Sequence, residues 1–341
     1  MHISSADLVA SLSTLASQGI TELAVHDEAL TAHKGKLLHF LHEAARRAPD
    51  IFYSITLDAA MLDMDVAKAA SALYCSLELP LSAASKGGAY LFDKKFYARR
   101  ATMLNNLGLV FGFSVLFASE KADSLKLFRD RLDFALSLYP NHVDFPQLET
   151  RDSLATATQA AAILPPHPSA TFSTQDIRRA GEIAFACTVF YSLGRAVPWF
   201  LSVLAPLKMS ASRFFEDFAE WQRINSCGYG SDWHNKLSTQ ADRMHHEIET
   251  MQLTFLRFKY EEKGKAPLFA AVTDIIHLNG AMARCMGEGE EETVVLQYNP
   301  EDILSPIATD IARFTDSVCM EDCRVQIYFD EDTGVDWKLL A

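Results

Sequence analysis

The chain has 341 residues, 49% of them hydrophobic, with a net charge of −13 at pH 7 and six cysteines. That length can bury one large core and a smaller domain, while the acidic balance and the lack of a basic cluster argue against nucleic acid or anionic membrane as partner. The opening MHISSADL has no charged n-region before an apolar stretch, so no signal peptide and a reducing cytoplasm are the expectation.

Ser4–Ser17 carries Leu8, Leu12 and Leu15 at helical spacing. Ile20–His26 follows as a short β-rich run, then a helix over His33–Ala48 closed by Pro49. Strands are expected at Ile51–Leu57 and Tyr74–Leu79, with a helix over Ala60–Ala72 between them. A helix over Lys94–Leu107 leads into Leu109–Phe117, a near-continuous apolar run that suits a strand covered by helices on both faces. Lys121–Tyr139 places Leu125, Phe128, Leu132, Leu136 and Tyr139 on one helical stripe. Pro140-Asn141 stops it, and His142–Leu148 is the next strand. Five strand candidates alternating with helices predict a parallel α/β sheet or partial barrel over residues 1–152.

Residues 153–171, with Leu164-Pro165-Pro166-His167-Pro168, read as a stiff linker. Residues 172–341 read as a mainly helical domain: helices over Gln175–Tyr191, Ala196–Leu204, Ser210–Trp221, a long one over Asn235–Lys263, and Asp302–Asp316. Thr293–Tyr298 and Arg324–Phe329 are short strands, the second turning at Glu331–Gly334 into Val335–Leu339 as a terminal hairpin. Ile183–Leu207 comes nearest to a membrane span, but Gly194-Arg195, Pro198 and Pro206 interrupt it, so buried helices and no membrane are expected.

Ligands of parallel α/β sheets sit beyond the carboxyl ends of the strands. Those loops begin here at His26-Asp27-Glu28, Asp58, Pro80–Lys86, Ala118–Asp123 and Glu149–Asp152. Their carboxylates could bind a metal or a ribose, or cap the following helices, as suits Asp27 and Asp123. No P-loop, G-x-G-x-x-G or G-x-S-x-G pattern is present, and Gly112 inside a strand suggests a bulge. His245 and Glu249 share a helix face as a metal pair or a solvated face. Cys319 and Cys323 read as small core residues. No catalytic or metal residue is assigned.

CSLELPL (75–81), GLVFGFSVLF (108–117), LDFALSLYPNHVDFPQL (132–148), FYSLGRAVPWF (190–200) and NPEDILSP (299–306) resemble B12-binding-type radical SAM proteins. The resemblance implies an incomplete (β/α) radical-SAM-like barrel lacking its first strand, followed by the helical C-terminal extension. It also implies S-adenosylmethionine and a 4Fe-4S cluster, yet the cluster motif C-x-x-x-C-x-x-C occurs nowhere and the cobalamin domain is absent. The loops at Pro80-Leu81-Ser82-Ala83, Ala118-Ser119-Glu120 and Leu148-Glu149-Thr150-Arg151 depart from the family pattern. No cofactor is therefore expected in this chain. Rim candidates for a retained ligand are Asp27, Glu78, Ser82, Ser114 and Arg195. Arg195 and Trp199 offer a functional surface or, with Phe200, a docking contact in which Arg195 pairs with a rim carboxylate.

Three readings stay open. The altered rim favours a cluster-less pseudoenzyme acting as a binding or partner subunit. A second is the C-terminal part of a split cobalamin-dependent enzyme. A third is a small-molecule enzyme using Asp27, Asp58, Glu78 and Glu149. The strand Ile20–His26 would expose an edge, which predicts cover by the N-terminal helix or pairing with a protein partner or a second copy.

Overall fold

The computed structural model describes residues 5–26, 28–81, 84–86, 89–91, 93–119, 122–148 and 166–340. The chain divides into two compact units, Met1–Ala184 and Phe185–Ala341.

The first unit alternates helix and strand: α1 (Ser5–Ser17), β1 (Glu22–Val25), α2 (Glu28–Thr31), α3 (Lys34–Arg47), β2 (Phe52–Thr56), α4 (Met64–Ala70) and β3 (Cys75–Pro80). A two-stranded hairpin follows, β4 (Ala84–Lys86) with β5 (Ala89–Leu91), where a plain loop is expected from sequence. Then come α5 (Lys94–Asn106), β6 (Val110–Ser114), α6 (Leu125–Leu136) and β7 (His142–Asp144). All five expected strands form one parallel sheet in the order β1-β2-β3-β6-β7. This order follows the chain without reversal, so right-handed crossovers place every connecting helix on the same face.

Local chemistry sets the helix starts. Asp63 accepts from the N–H groups of Asp65 and Val66, Asp93 from Phe96, and Ser124 from Leu127, each satisfying donors the first helical turn cannot. Ser124, rather than Lys121, therefore opens α6. Tyr139 lies beyond its end at φ +56 and is exposed, not in the buried stripe.

Strands present alternate side chains to opposite faces. Tyr53, Ile55, Leu77, Leu79, Phe111, Phe113 and Val143 share the buried, apolar face. They meet the helices edge to face, with ring centroids 5.9 Å apart for Phe40–Tyr53 and 6.3 Å for Tyr97–Phe113. The other face carries Ser54, Thr56, Ser76, Glu78, Gly112, Ser114, His142 and Asp144. The 109–117 run thus has one apolar and one polar side. Its Val110 is 40% exposed on the polar face, and a glycine and a serine fill the alternate positions.

The second unit takes in only the last residues of α7 (Thr174–Cys187), then a π-helical turn at Thr188–Leu193 and α8 (Phe200–Leu204). After these come α9 (Ala211–Ile224), α10 (Asp232–Gln240), α11 (His245–Glu262), α12 (Phe269–Glu288), β8 (Glu292–Leu296), α13 (Pro300–Ile303) and α14 (Ile311–Ser317). Its core is aromatic. Phe190, Phe200, Phe214, Phe215 and Phe218 are at most 1% exposed, and Phe190 lies 4.9 Å from Phe214 and 5.2 Å from Phe218. The expected long helix Asn235–Lys263 is broken at Ala241–Arg243. Leu237, Met244 and Ile248 are buried at spacings one continuous helix would also satisfy, so the apolar pattern does not mark the break. The terminal hairpin, β9 (Cys323–Asp330) and β10 (Gly334–Leu340), gains β8 as a third antiparallel strand. Ile183–Leu207 is split among several short turns. Among the described residues, Ala266–Glu288 is the helix long and apolar enough to cross a membrane, and its buried residues include Asp274 and Arg284.

Candidate functional site

The polar face of the first unit is built by register. Thr56, Glu78, Gly112 and His142 stand side by side across β2, β3, β6 and β7. Gly112 separates Glu78 from His142, and the His142 ring crosses its strand to bring Nε2 within 2.7 Å of Glu78 Oε2. A Cβ on residue 112 would stand 2.1 Å from that nitrogen. The glycine makes room for a side-chain contact; it does not mark a bulge. Ser76, two residues before Glu78 and on the same face, donates its hydroxyl to Glu78 Oε1 at 2.8 Å. Asp144, two residues after His142, brings Oδ2 to 3.4 Å from His142 Nε2. At the sheet edge, His26 Nδ1 lies 2.8 Å from Thr56 Oγ1 and extends the polar row.

Burial alone would push the Glu78 carboxyl up and the His142 imidazole down. Their mutual hydrogen bond and charges, with Asp144 adding to the field at His142, outweigh burial on both sides. Glu78 is held below and His142 above its ordinary value. The contact thus favours the carboxylate form of Glu78 and the protonated form of His142. The set offers a proton donor, two carboxylates and a hydroxyl on one face, groups able to orient a polar ligand, move a proton or hold a cation.

Of the residues singled out from sequence, Glu78 and Ser114 share this face, Ser114 lying opposite Asp144 at the end of β6. Asp27, Ser82 and Glu149 lie outside the described residues. Asp58 accepts from the N–H of Ala60 at 2.8 Å, a turn-capping role. Asp123 does not cap α6. It is fully buried, bound to Arg131 at 3.0 Å and to the N–H of Ala118 at 2.9 Å. His142 and Asp144 were missed in the sequence. Their one signal is the His-x-Asp spacing, which puts both on one side of a strand but is silent about Glu78.

Arg195 belongs to the second unit, where it pairs with Glu288 and donates to His245 Nε2 at 3.2 Å rather than meeting a rim carboxylate. It sits at φ +48 just after the π-helical turn, an unusual backbone for a non-glycine residue. Beside it, a small cleft is lined by Gly194, Arg195, His245, Glu249, Gln252 and Arg284, among others. His245 and Glu249 do not form a metal pair, because Glu249 turns to Arg284 at 2.5 Å and to His277 at 2.7 Å. Gly280 admits this cluster, since a Cβ there would stand 2.2 Å from Glu249 Oε2. Cys319 is exposed and Cys323 half-buried, so neither is a core residue.

No protein-family model matches the chain, and no curated protein matches it. Among solved structures it is similar to the radical S-adenosylmethionine methyltransferase TsrM from Kitasatospora setae with cobalamin and a 4Fe-4S cluster bound, at 14% identity and TM-score 0.34. That match covers 42% of this chain and 28% of the other. It is also similar to TsrM with tryptophan substrate and the SAM analogue aza-SAM bound, at 14% identity and TM-score 0.33, covering 42% and 30%. The match thus spans less than a third of either TsrM chain.

Proposed function

We propose that the first unit is a radical-SAM-like scaffold that binds a small polar ligand on the polar face of its sheet and holds no iron–sulfur cluster of its own. The Glu78–His142 pair carries this reading. A polar pair this buried costs desolvation, and the strand between its partners gives up a side chain to let them meet.

The residues present do not fit the cluster. Cys75 is the only cysteine of the first unit, and it lies on the helix-facing side of β3 with its thiol directed to Ala70 O. Burial pushes that thiol up to about 11, whereas a cluster ligand must be a thiolate and three are needed.

Anaerobic reconstitution with iron and sulfide tests the second half of the proposal. Visible absorption should show no stoichiometric cluster, and near-stoichiometric iron would overturn it. Ligand-observed NMR against small polar compounds, including S-adenosylmethionine, tests the first half. Binding should be lost in Glu78→Gln at unchanged fold, and binding that ignores Glu78 would move the site elsewhere.

A further inference from the structure

We propose that Glu78, His142 and Asp144 bind one divalent first-row cation of the Mn²⁺, Fe²⁺ or Zn²⁺ class. The proposal rests on the reading of the polar face as the ligand-binding face and names what that face takes first. One donor atom from each residue lies within 4.8 Å of the other two. His142 Nε2 is 2.7 Å from Glu78 Oε2 and 3.4 Å from Asp144 Oδ2. Donors bonded to a common ion at about 2.1 Å stand roughly 3.0 Å apart in an octahedron and roughly 3.4 Å in a tetrahedron. The 3.4 Å separation matches that range, and the 2.7 Å hydrogen bond would open by a few tenths of an ångström to admit an ion.

The backbone supplies these atoms from a rigid source. His142 and Asp144 are alternate residues of β7, and Glu78 faces them from β3 across the bare Gly112. Ser76 fixes Glu78 Oε1 and leaves Oε2 directed at the imidazole. Such an outer hydrogen bond usually orients a metal-binding carboxylate. Two carboxylates converge here on the same nitrogen, and a divalent ion bound in place of the imidazole proton would neutralise both. One nitrogen with two carboxylate oxygens suits borderline divalent ions better than the thiolate-seeking or all-oxygen metals. Three protein ligands would leave positions open for water or a substrate atom.

Tag-free full-length protein, stripped with chelator, is titrated with Co²⁺ followed by visible absorption and with Zn²⁺ followed by calorimetry. One equivalent should bind. Asp144→Asn, at a half-exposed position, should weaken binding by at least about tenfold with the metal-free melting temperature unchanged. Ser76→Ala should weaken it by about tenfold while removing no ligand. Co²⁺ should also broaden the His142 ring signals in NMR. Failure to take up one equivalent, or equal uptake by wild type and Asp144→Asn, overturns the metal assignment. If the metal fails while small-ligand binding still depends on Glu78, only the metal falls. If both fail, the reading of the polar face falls with it.

Discussion

Gly112 is the residue on which the candidate site turns. Its neighbours in register are Glu78 and His142, and the ring that joins them occupies the space a side chain would fill. Gly112→Ala should cost about 1–3 kcal/mol through overpacking, measured by urea unfolding, and should shift the His142 ring resonances. Unchanged His142 signals would show that the ring does not cross the strand. A second residue-scale expectation concerns His277 and Glu249. Hydrogen bonding to Glu249 raises the His277 imidazole above its ordinary 6.5. Burial pushes the Glu249 carboxyl up, but His277 and Arg284 more than offset this and hold it below 4.5. The His277 contribution is therefore complete below pH 6.5 and lost as pH rises through its raised folded value. The Glu249 contribution is present above pH 4.5 and lost on acidification. Stability should decline above pH 6.5 by about 0.5–1 kcal/mol, a small figure because the His277 side chain is 37% exposed. The decline should flatten in His277→Gln, as read from urea midpoints across pH.

At the scale of elements, the junction of β6 and α6 depends on one buried ion pair. Arg131 reaches back from α6 to both oxygens of Asp123 and to Leu116 O at 2.7 Å, while Asp123 fixes the N–H of Ala118, a residue at φ +50. Thr171 donates to Asp123 O at 2.6 Å and ties the residues just before α7 to the same corner. Arg131→Leu would leave a carboxylate buried without its cation, at a cost of about 3–5 kcal/mol. Differential scanning calorimetry checks it, and a loss below about 1 kcal/mol would mean that the pair behaves as a surface contact. The helices show how far periodicity reaches. α5 and α6 were legible from their apolar stripes, although the start of α6 at the Ser124 cap was not. The break before α11 was not, because the stripe runs on across it.

At the scale of the whole molecule, β1 is an outer strand of the five-stranded sheet, bonded to β2. α1 packs against α3 through a buried Leu8, Leu12 and Leu15 stripe, in the helical layer. Pairing through the β1 edge predicts a mass of two chains by light scattering and its loss in Ala24→Pro, since proline removes a ladder donor. A mass of one chain would end the edge-pairing model.

The sequence by itself determined the succession of βα units, the helical second half and the terminal strands, because each is written in local apolar spacing and in capping or turn residues that act within a few positions. It also named Glu78 and Ser114 among the candidate residues. The tertiary structure alone decided what those residues meet. Glu78 and His142 are 64 positions apart, and their contact exists because parallel register sets them level on one face with a glycine between. The same register explains why a strand that reads as wholly apolar has a polar side, since Val110, Gly112 and Ser114 are its outward residues and only pairing with β3 and β7 reveals what they face.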